Sequence, residues 1–172
     1  MADDVPWLTP EQLRSWIALS VLLEALPAAI DAQLKRDAGL NSFEYQVMAG
    51  LSDAPDHAIR MSALAAFASG SPSRLSHAVG RLEKQGFVVR RQADDDPRAV
   101  EAVLTPAGRA KMKECAPAHV REARRLVVDV LTPTQLDQLG RIARKVLEVA
   151  APQTAEIVAH GHAPTASKPR RA

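Results

Sequence analysis

The chain has 172 residues, of which 47% are hydrophobic, a net charge of +2, and only six aromatic residues, so it is long enough to bury the core of one domain and its composition favours helices. Its single cysteine excludes an internal disulfide. No apolar run has the length expected of a membrane span, and the acidic start is unlike a secretory signal, so we expect a cytoplasmic protein with no membrane partner.

The first predicted helix begins at Thr9-Pro10-Glu11-Gln12, which has the sequence of a capping box with proline at the first helical position. Apolar residues then recur at helical spacing towards Lys35-Arg36. Pro27 lies inside this pattern and predicts a kink or a break into two helices, because proline removes one backbone donor. A second helix is predicted after an Asn41-Ser42 cap, with an inward face formed by Phe43, Val47, Met48 and Leu51.

A loop at residues 53–56 and a short strand at residues 58–60 precede two short helical patterns. The first pattern runs from Ser62 to Ser69 and stops at Gly70, which we expect to take the left-handed conformation that reverses the chain. The second begins with Ser71-Pro72, an N-cap hydroxyl followed by proline. Its predicted inward face is formed by Leu75, Ala78, Val79 and Leu82.

The outward face of the second pattern combines short hydroxyls with hydrogen-bond donors and has no acidic residue. It carries Ser73, Arg74, Ser76, His77, Gly80, Arg81 and Lys84. Such side chains can reach base edges and phosphates in a major groove. The two patterns therefore predict a helix-turn-helix in which the second helix is the recognition helix.

A basic hairpin is predicted next, with one strand at residues 87–92, a second at residues 99–104, and a six-residue turn between them. Arg98 lies at the tip of this hairpin, where a guanidinium can enter a minor groove. Thr105-Pro106 then begins a long helix, and Thr132-Pro133 begins the last one. The helix-turn-helix with its hairpin predicts a winged helix-turn-helix.

Charge is distributed unevenly along the chain. Residues 1–59 hold three basic and nine acidic residues, a net charge of −6, whereas residues 60–113 hold ten basic and five acidic residues, a net charge of +5. The basic excess thus coincides with the predicted winged segment, where it would neutralise phosphates.

This segment resembles the MarR family of bacterial transcriptional regulators. The resemblance rests on Ser73, Arg81-Leu82-Glu83, Gly86, Val89-Arg90-Arg91, Asp96-Pro97-Arg98 and Leu104-Thr105-Pro106-Ala107-Gly108. It covers roughly residues 9–149 and implies a mainly α (α+β) fold, a winged helix-turn-helix with a small β-hairpin wing and a helical dimerisation region.

The long first helix and the two last helices offer more apolar surface than one small winged domain can cover, which favours a dimer. We therefore expect a single MarR-like domain over residues 1–150. Within it, residues 9–38 and 105–150 are dimerisation helices and residues 41–104 form the DNA-binding part. Residues 151–172, rich in proline and alanine, are expected to be a disordered tail.

The expected function is sequence-specific transcriptional regulation by a homodimer on double-stranded, pseudo-palindromic operator DNA. The predicted DNA contacts are Ser71, Ser73, Arg74, Ser76, His77, Arg81, Lys84, Arg90, Arg91 and Arg98. Arg81 has an alternative role as an ion-pair partner of Asp96 or another wing carboxylate, and His77 has an alternative as an ordinary surface histidine. The resemblance implies that Asp96 orients a basic side chain.

The resemblance also implies repression that is relieved by a small aromatic or phenolic effector, with Trp16, Met48 and His57 as candidate pocket residues. No cofactor, metal or enzymatic activity is expected, since no phosphate loop, dinucleotide fingerprint or nucleophile elbow is present. Cys115 is interpreted as a small buried residue rather than a redox sensor. The alternative function is a winged-helix protein-interaction module that does not bind DNA specifically.

Overall fold

The computed structural model describes residues 5–152 and 154–155. Six α-helices and three β-strands make up this part of the chain. In order they are α1 (Pro10–Ala38), α2 (Ser42–Asp53), β1 (Ala58–Arg60), α3 (Met61–Phe67), α4 (Pro72–Lys84), β2 (Val88–Ala93), β3 (Asp96–Leu104), α5 (Pro106–Ala123) and α6 (Pro133–Ala150). A short 3₁₀ turn at Pro55–His57 precedes β1, and a π-helical turn at Arg124–Val128 follows α5.

Side-chain caps begin the helices where the sequence predicts them. Thr9, Asn41, Ser71, Thr105 and Thr132 each accept a hydrogen bond from the backbone N–H three residues later. These caps satisfy donors that the first helical turn leaves free. Pro27 lies inside α1, which continues through it as one helix, so the predicted break into two helices does not occur. The helix loses one hydrogen bond there and is otherwise complete on both sides.

The three strands form one antiparallel sheet in the order β1, β3, β2. Ile59 pairs with Ala102, and Val88 pairs with Leu104, which places β3 in the centre. An irregularity between Gln92 and Ala93 lets Ala93 pair with Asp96. The wing turn therefore contains two residues, 94 and 95, and not the six predicted from turn-forming composition. Arg98, predicted at the tip, lies instead on β3, because the strands pair further towards the turn than expected.

The core lies between α2, α3, α4 and the inner face of the sheet. The apolar residues predicted to face inward on α2 and α4 are all buried. Leu64 of α3, with Val88 and Leu104 of the sheet, is also fully buried. This packing fixes which side of α4 faces away from the protein.

The turn between α3 and α4 differs from the sequence expectation. Ser69, and not Gly70, takes the left-handed conformation, with φ of 50°. Gly70 is needed for a different reason, because a Cβ there would lie 2.5 Å from the Phe43 ring. The close approach of an aromatic ring from α2 could not be read from the local sequence.

The first and last helices leave apolar side chains uncovered. Large apolar side chains are exposed along α1 and α6, namely Leu13, Trp16, Ile17, Leu19, Val21, Leu22 and Leu23 on α1, and Leu139, Ile142, Val146 and Val149 on α6. By length and composition alone, α1 passes as a membrane-spanning helix. The expectation that no apolar run reaches that length is therefore wrong.

The predicted tail is described only at its start. Pro152, Thr154 and Ala155 are helical, and the Ala155 N–H donates to the Ala151 carbonyl at 3.0 Å. The rest of that prediction, residues 153 and 156–172, lies outside the described residues.

Candidate DNA interface

The outward face of α4 presents its polar side chains to solvent. Ser73, Arg74, Ser76, His77 and Lys84 are all exposed. Ser71 is exposed as well, but its hydroxyl accepts the Arg74 N–H at 3.2 Å and so caps the helix. The face predicted for DNA contact is therefore open over the whole length of α4.

Arg74 has a contact that the sequence did not reveal. Its guanidinium lies 4.2 Å from the centroid of the Phe43 ring, a cation–π geometry. This contact limits the conformations of a long side chain and holds the charge near the N-terminal end of α4.

Arg81 is paired within the chain. Its Nε donates to Oε1 of Glu44 on α2 at 2.5 Å. The predicted alternative, pairing with Asp96 or another wing carboxylate, is therefore wrong. A partner so distant in sequence gives no local signal.

The two arginines of β2 also have partners within the chain. Arg90 pairs with Glu83 of α4 and donates to the Ser76 carbonyl at 2.8 Å. Arg91 Nε donates to Glu101 of β3 at 3.2 Å. Arg90 thus links the wing to α4, and Arg91 links the two strands of the wing.

The wing tip is fixed by two carboxylates. Arg60 of β1 donates to both oxygens of Asp95, at 2.7 and 2.6 Å, and this contact raises the pKa of Arg60. Asp96 instead accepts the backbone N–H of Arg98 at 2.9 Å. The predicted role of Asp96, orienting a basic side chain, therefore belongs to Asp95, because the short turn brings Asp95 next to β1.

The charged side chains of this surface thus divide into two groups. Arg60, Arg81, Arg90 and Arg91 form ion pairs that hold the elements together. Among the described residues, Arg74, Lys84 and Arg98 form no ion pair with a carboxylate. An exposed donor without a carboxylate partner can bind an external anion without first losing an ion pair.

Comparison with known proteins identifies the family to which this chain belongs. The sequence model of the MarR family matches residues 40–100. The transcriptional repressor MprA of Escherichia coli is 30% identical over 128 residues, covering 74% of this chain and 69% of that protein. The chain belongs to the MarR family.

Two solved MarR-family structures are similar over most of the chain. Sco3205 of Streptomyces coelicolor, crystallised in complex with DNA, is 40% identical, with a TM-score of 0.82 over 85% of this chain and 91% of that one. AbsC of the same organism is 32% identical, with a TM-score of 0.79 over 84% and 97%. The predicted mainly α winged fold is therefore confirmed. MarR-family regulators are transcription factors rather than enzymes.

The Leu-Thr-Pro-Ala-Gly motif of this MarR-family chain has a structural role. The Thr105 hydroxyl donates to the Gly86 carbonyl at 2.7 Å, and the Thr105 N–H donates to the Phe87 carbonyl at 3.0 Å. Gly108 lies against the same carbonyl, which is 2.2 Å from the position a Cβ would occupy. The motif thus docks the first turn of α5 on the start of the wing.

The three residues predicted to line an effector pocket are not brought together. Trp16 lines an open groove of about 470 Å³ on α1. His57 lines a cleft of about 500 Å³ with Arg109 and Lys113. Met48 is fully buried in the core. A methionine at helical spacing belongs to the core here, and the three side chains do not line one common cavity in the described part of the chain.

A different cleft, of about 420 Å³, lies between α1, α2 and α5. It is lined by Leu26, Pro27, Ile30, Leu34, Ser42, Tyr45, Gln46, Ala49 and His119. The rings of Tyr45 and His119 have centroids 4.4 Å apart. Burial lowers the pKa of His119 and raises that of Tyr45, so both are neutral at pH 7. The buried Nδ1 of His119 has no hydrogen-bond partner within the described residues.

Cys115 is buried, as predicted, and its burial raises the pKa of the thiol. A raised pKa disfavours the thiolate, the reactive form in oxidation. In the described part of the chain, no group of three or more histidine, cysteine or acidic residues could hold a metal ion.

Proposed function

We propose that this protein is a cytoplasmic, homodimeric repressor that binds a pseudo-palindromic operator. The observation that carries the proposal is the exposed outward face of α4, which has hydroxyls and cations and whose flanking carboxylate, Glu83, is paired with Arg90, together with the exposed Arg98 on the wing. This combination suits the major groove and the adjacent minor groove.

The individual contacts follow from the two groups of charged residues. Arg74, held over Phe43, and His77 face the base edges or the phosphates at the start of α4. Lys84, at the other end of the helix, contacts a phosphate. Arg98 enters the minor groove from the wing. The exposed hydroxyls of Ser73 and Ser76 supply shorter hydrogen bonds.

Dimerisation follows from the apolar faces of α1 and α6. Large apolar side chains exposed at this number of positions are unfavourable in water, and a second copy would cover them. A two-fold dimer places two copies of α4 in successive major grooves, about 34–36 Å apart. The operator is then expected to carry two related half-sites in opposite orientation.

The cleft between α1, α2 and α5 is the proposed effector site. It touches both a dimerisation helix and a helix of the winged part, so a bound molecule can change their relative placement. Its walls combine apolar side chains with the Tyr45 hydroxyl and the unpartnered His119 nitrogen, which suits a small aromatic or phenolic compound. An effector releases DNA only if it binds more tightly to the dimer conformation in which the two α4 helices do not match successive major grooves.

A salt titration of DNA binding tests the proposal. The protein is titrated onto a fluorescent duplex from the region upstream of its own gene, and in parallel onto a scrambled duplex of equal length. We expect tight binding to the first and a steep loss with rising salt. Equal, weak binding to both duplexes, and to duplexes tiled across the neighbouring promoters, would favour the protein-interaction module.

A further inference from the structure

The Glu44 carboxylate joins α2 to the recognition helix and is fully engaged. Its side chain is only 5% exposed. One oxygen accepts the Arg81 Nε at 2.5 Å, and the other accepts the Asn41 N–H at 2.9 Å. A buried carboxylate without a cation is costly, so Glu44 holds Arg81 in place.

We propose that Arg81 is a positioning residue that fixes the orientation of α4 on α2, and that it is not a DNA contact. This inference rests on the proposed function. Half of the Arg81 side chain is exposed, but moving its Nε off Glu44 to reach a phosphate would leave the Glu44 charge buried and unpaired, whereas Lys84 and Arg74 reach the DNA without such a loss. Arg81 thus affects DNA binding by holding α4 in position.

The same end of α2 is also tied to the dimerisation helix. The Ser42 N–H donates to Asp31 of α1 at 2.8 Å, and Asp31 pairs with Lys35 at 2.7 Å. The N-terminus of α2 is therefore held by a carboxylate of α1 on one side and holds a guanidinium of α4 on the other. A displacement of α1 relative to the winged part would therefore be transmitted to α4 through Asp31, the N-terminus of α2 and Glu44.

The substitution Glu44→Gln distinguishes a DNA-contacting Arg81 from a positioning Arg81 by the direction in which operator affinity changes. Glutamine can still accept the Asn41 N–H and complete the capping box, so α2 keeps its start. If Arg81 contacted DNA, freeing it and removing a negative charge would leave operator binding as tight or tighter. If Arg81 positions α4, operator binding becomes about tenfold weaker, the factor that a charge-assisted hydrogen bond supplies.

The salt dependence of binding provides a second readout. A lost phosphate contact lowers the slope of log K against log salt by about 0.9, whereas a misplaced helix lowers affinity for the operator without that fixed change. We expect Glu44→Gln and Arg81→Lys each to weaken operator binding, with an unchanged slope and unchanged binding to the scrambled duplex. Asp53→Asn, the same charge change at the far end of α2, is the matched control and should bind like the wild type.

Two results would overturn the inference: wild-type or tighter operator binding by Glu44→Gln, or wild-type binding by Arg81→Lys, which keeps the charge but loses the Nε. Circular dichroism of each variant shows whether it is folded. If Glu44→Gln does not fold, the DNA binding of Arg81→Lys decides the question. Failure of the proposed function looks different, because the wild type itself would then not distinguish the operator from the scrambled duplex.

Discussion

Replacing Gly108 with alanine should destabilise the winged part by a predictable amount. The added Cβ would lie 2.2 Å from the Phe87 carbonyl oxygen and 2.7 Å from Leu104 Cδ1. The carbonyl is backbone, so it cannot rotate away as a side chain would. It must retreat to at least 3.0 Å, which disturbs the Thr105 hydrogen bonds to the Gly86 and Phe87 carbonyls.

The magnitude combines three terms. Overpacking a close contact costs about 1–3 kcal/mol, and each disturbed hydrogen bond about 1 kcal/mol. Alanine recovers about 1 kcal/mol because it loses less backbone entropy than glycine in a helix. With the two Thr105 hydrogen bonds disturbed, the net loss is about 2–4 kcal/mol in the free energy of unfolding, which corresponds to a Tm lower by roughly 5–15 °C in a chain of this size.

Thermal and urea unfolding, monitored by circular dichroism at one fixed protein concentration, measure this loss. Gly80→Ala on α4 is the matched control, because no atom other than those of its chain neighbours and its own helix backbone lies within 4 Å of the position of its Cβ. That variant should be more stable than the wild type by up to about 1 kcal/mol. Equal Tm values for Gly108→Ala and the wild type would refute the argument that α5 docks through this glycine.

Three further predictions concern the binding surface and buried groups. Arg98→Ala should weaken operator binding by about 1–3 kcal/mol and lower the salt slope by about 0.9 without changing the Tm; unchanged affinity at matched salt would remove the wing from the interface. Burial lowers the pKa of His119, so the unfolded chain binds the proton more tightly, and stability should fall as the pH drops below about 6.5. Urea unfolding at pH 7.5 and 5.5 should show a smaller difference for His119→Gln, and an equal difference would contradict this assignment. Cys115 should react slowly with iodoacetamide in the folded protein, and peroxide should leave operator binding unchanged; rapid labelling would show that the thiol is accessible.

Local signals predicted most of the helices. The capping residues Thr9, Asn41 and Ser71 act on backbone groups only three residues away, so the sequence around each cap contains the whole interaction. The inward face of α4 follows equally from its own periodicity. For the same reason the winged architecture could be predicted, since each of its elements has a local signature.

Contacts between distant parts of the chain could not be predicted in this way. The partner of Arg81 lies on α2, and the partner of Arg60 lies at the wing tip. Charge counting treats all cations of the winged segment as equal, whereas packing assigns several of them to internal carboxylates. The cleft between α1, α2 and α5 was missed for a similar reason, because Tyr45 and His119 meet only when α2 and α5 pack together.

The exposed apolar side of α1 has a consequence for cells that hold several related regulators. Apolar contact alone does not distinguish one partner subunit from another, because aliphatic side chains such as Leu22 and Leu23 pack against any apolar surface of matching shape. Two paralogues made at the same time would exchange subunits unless differences in shape or charge along α1 and α6 prevent it. A mixed pair would carry two different recognition helices and would read a hybrid operator. In the proposed dimer, the residues of α1 and α6 thus determine which subunits pair, and through that which operators are bound.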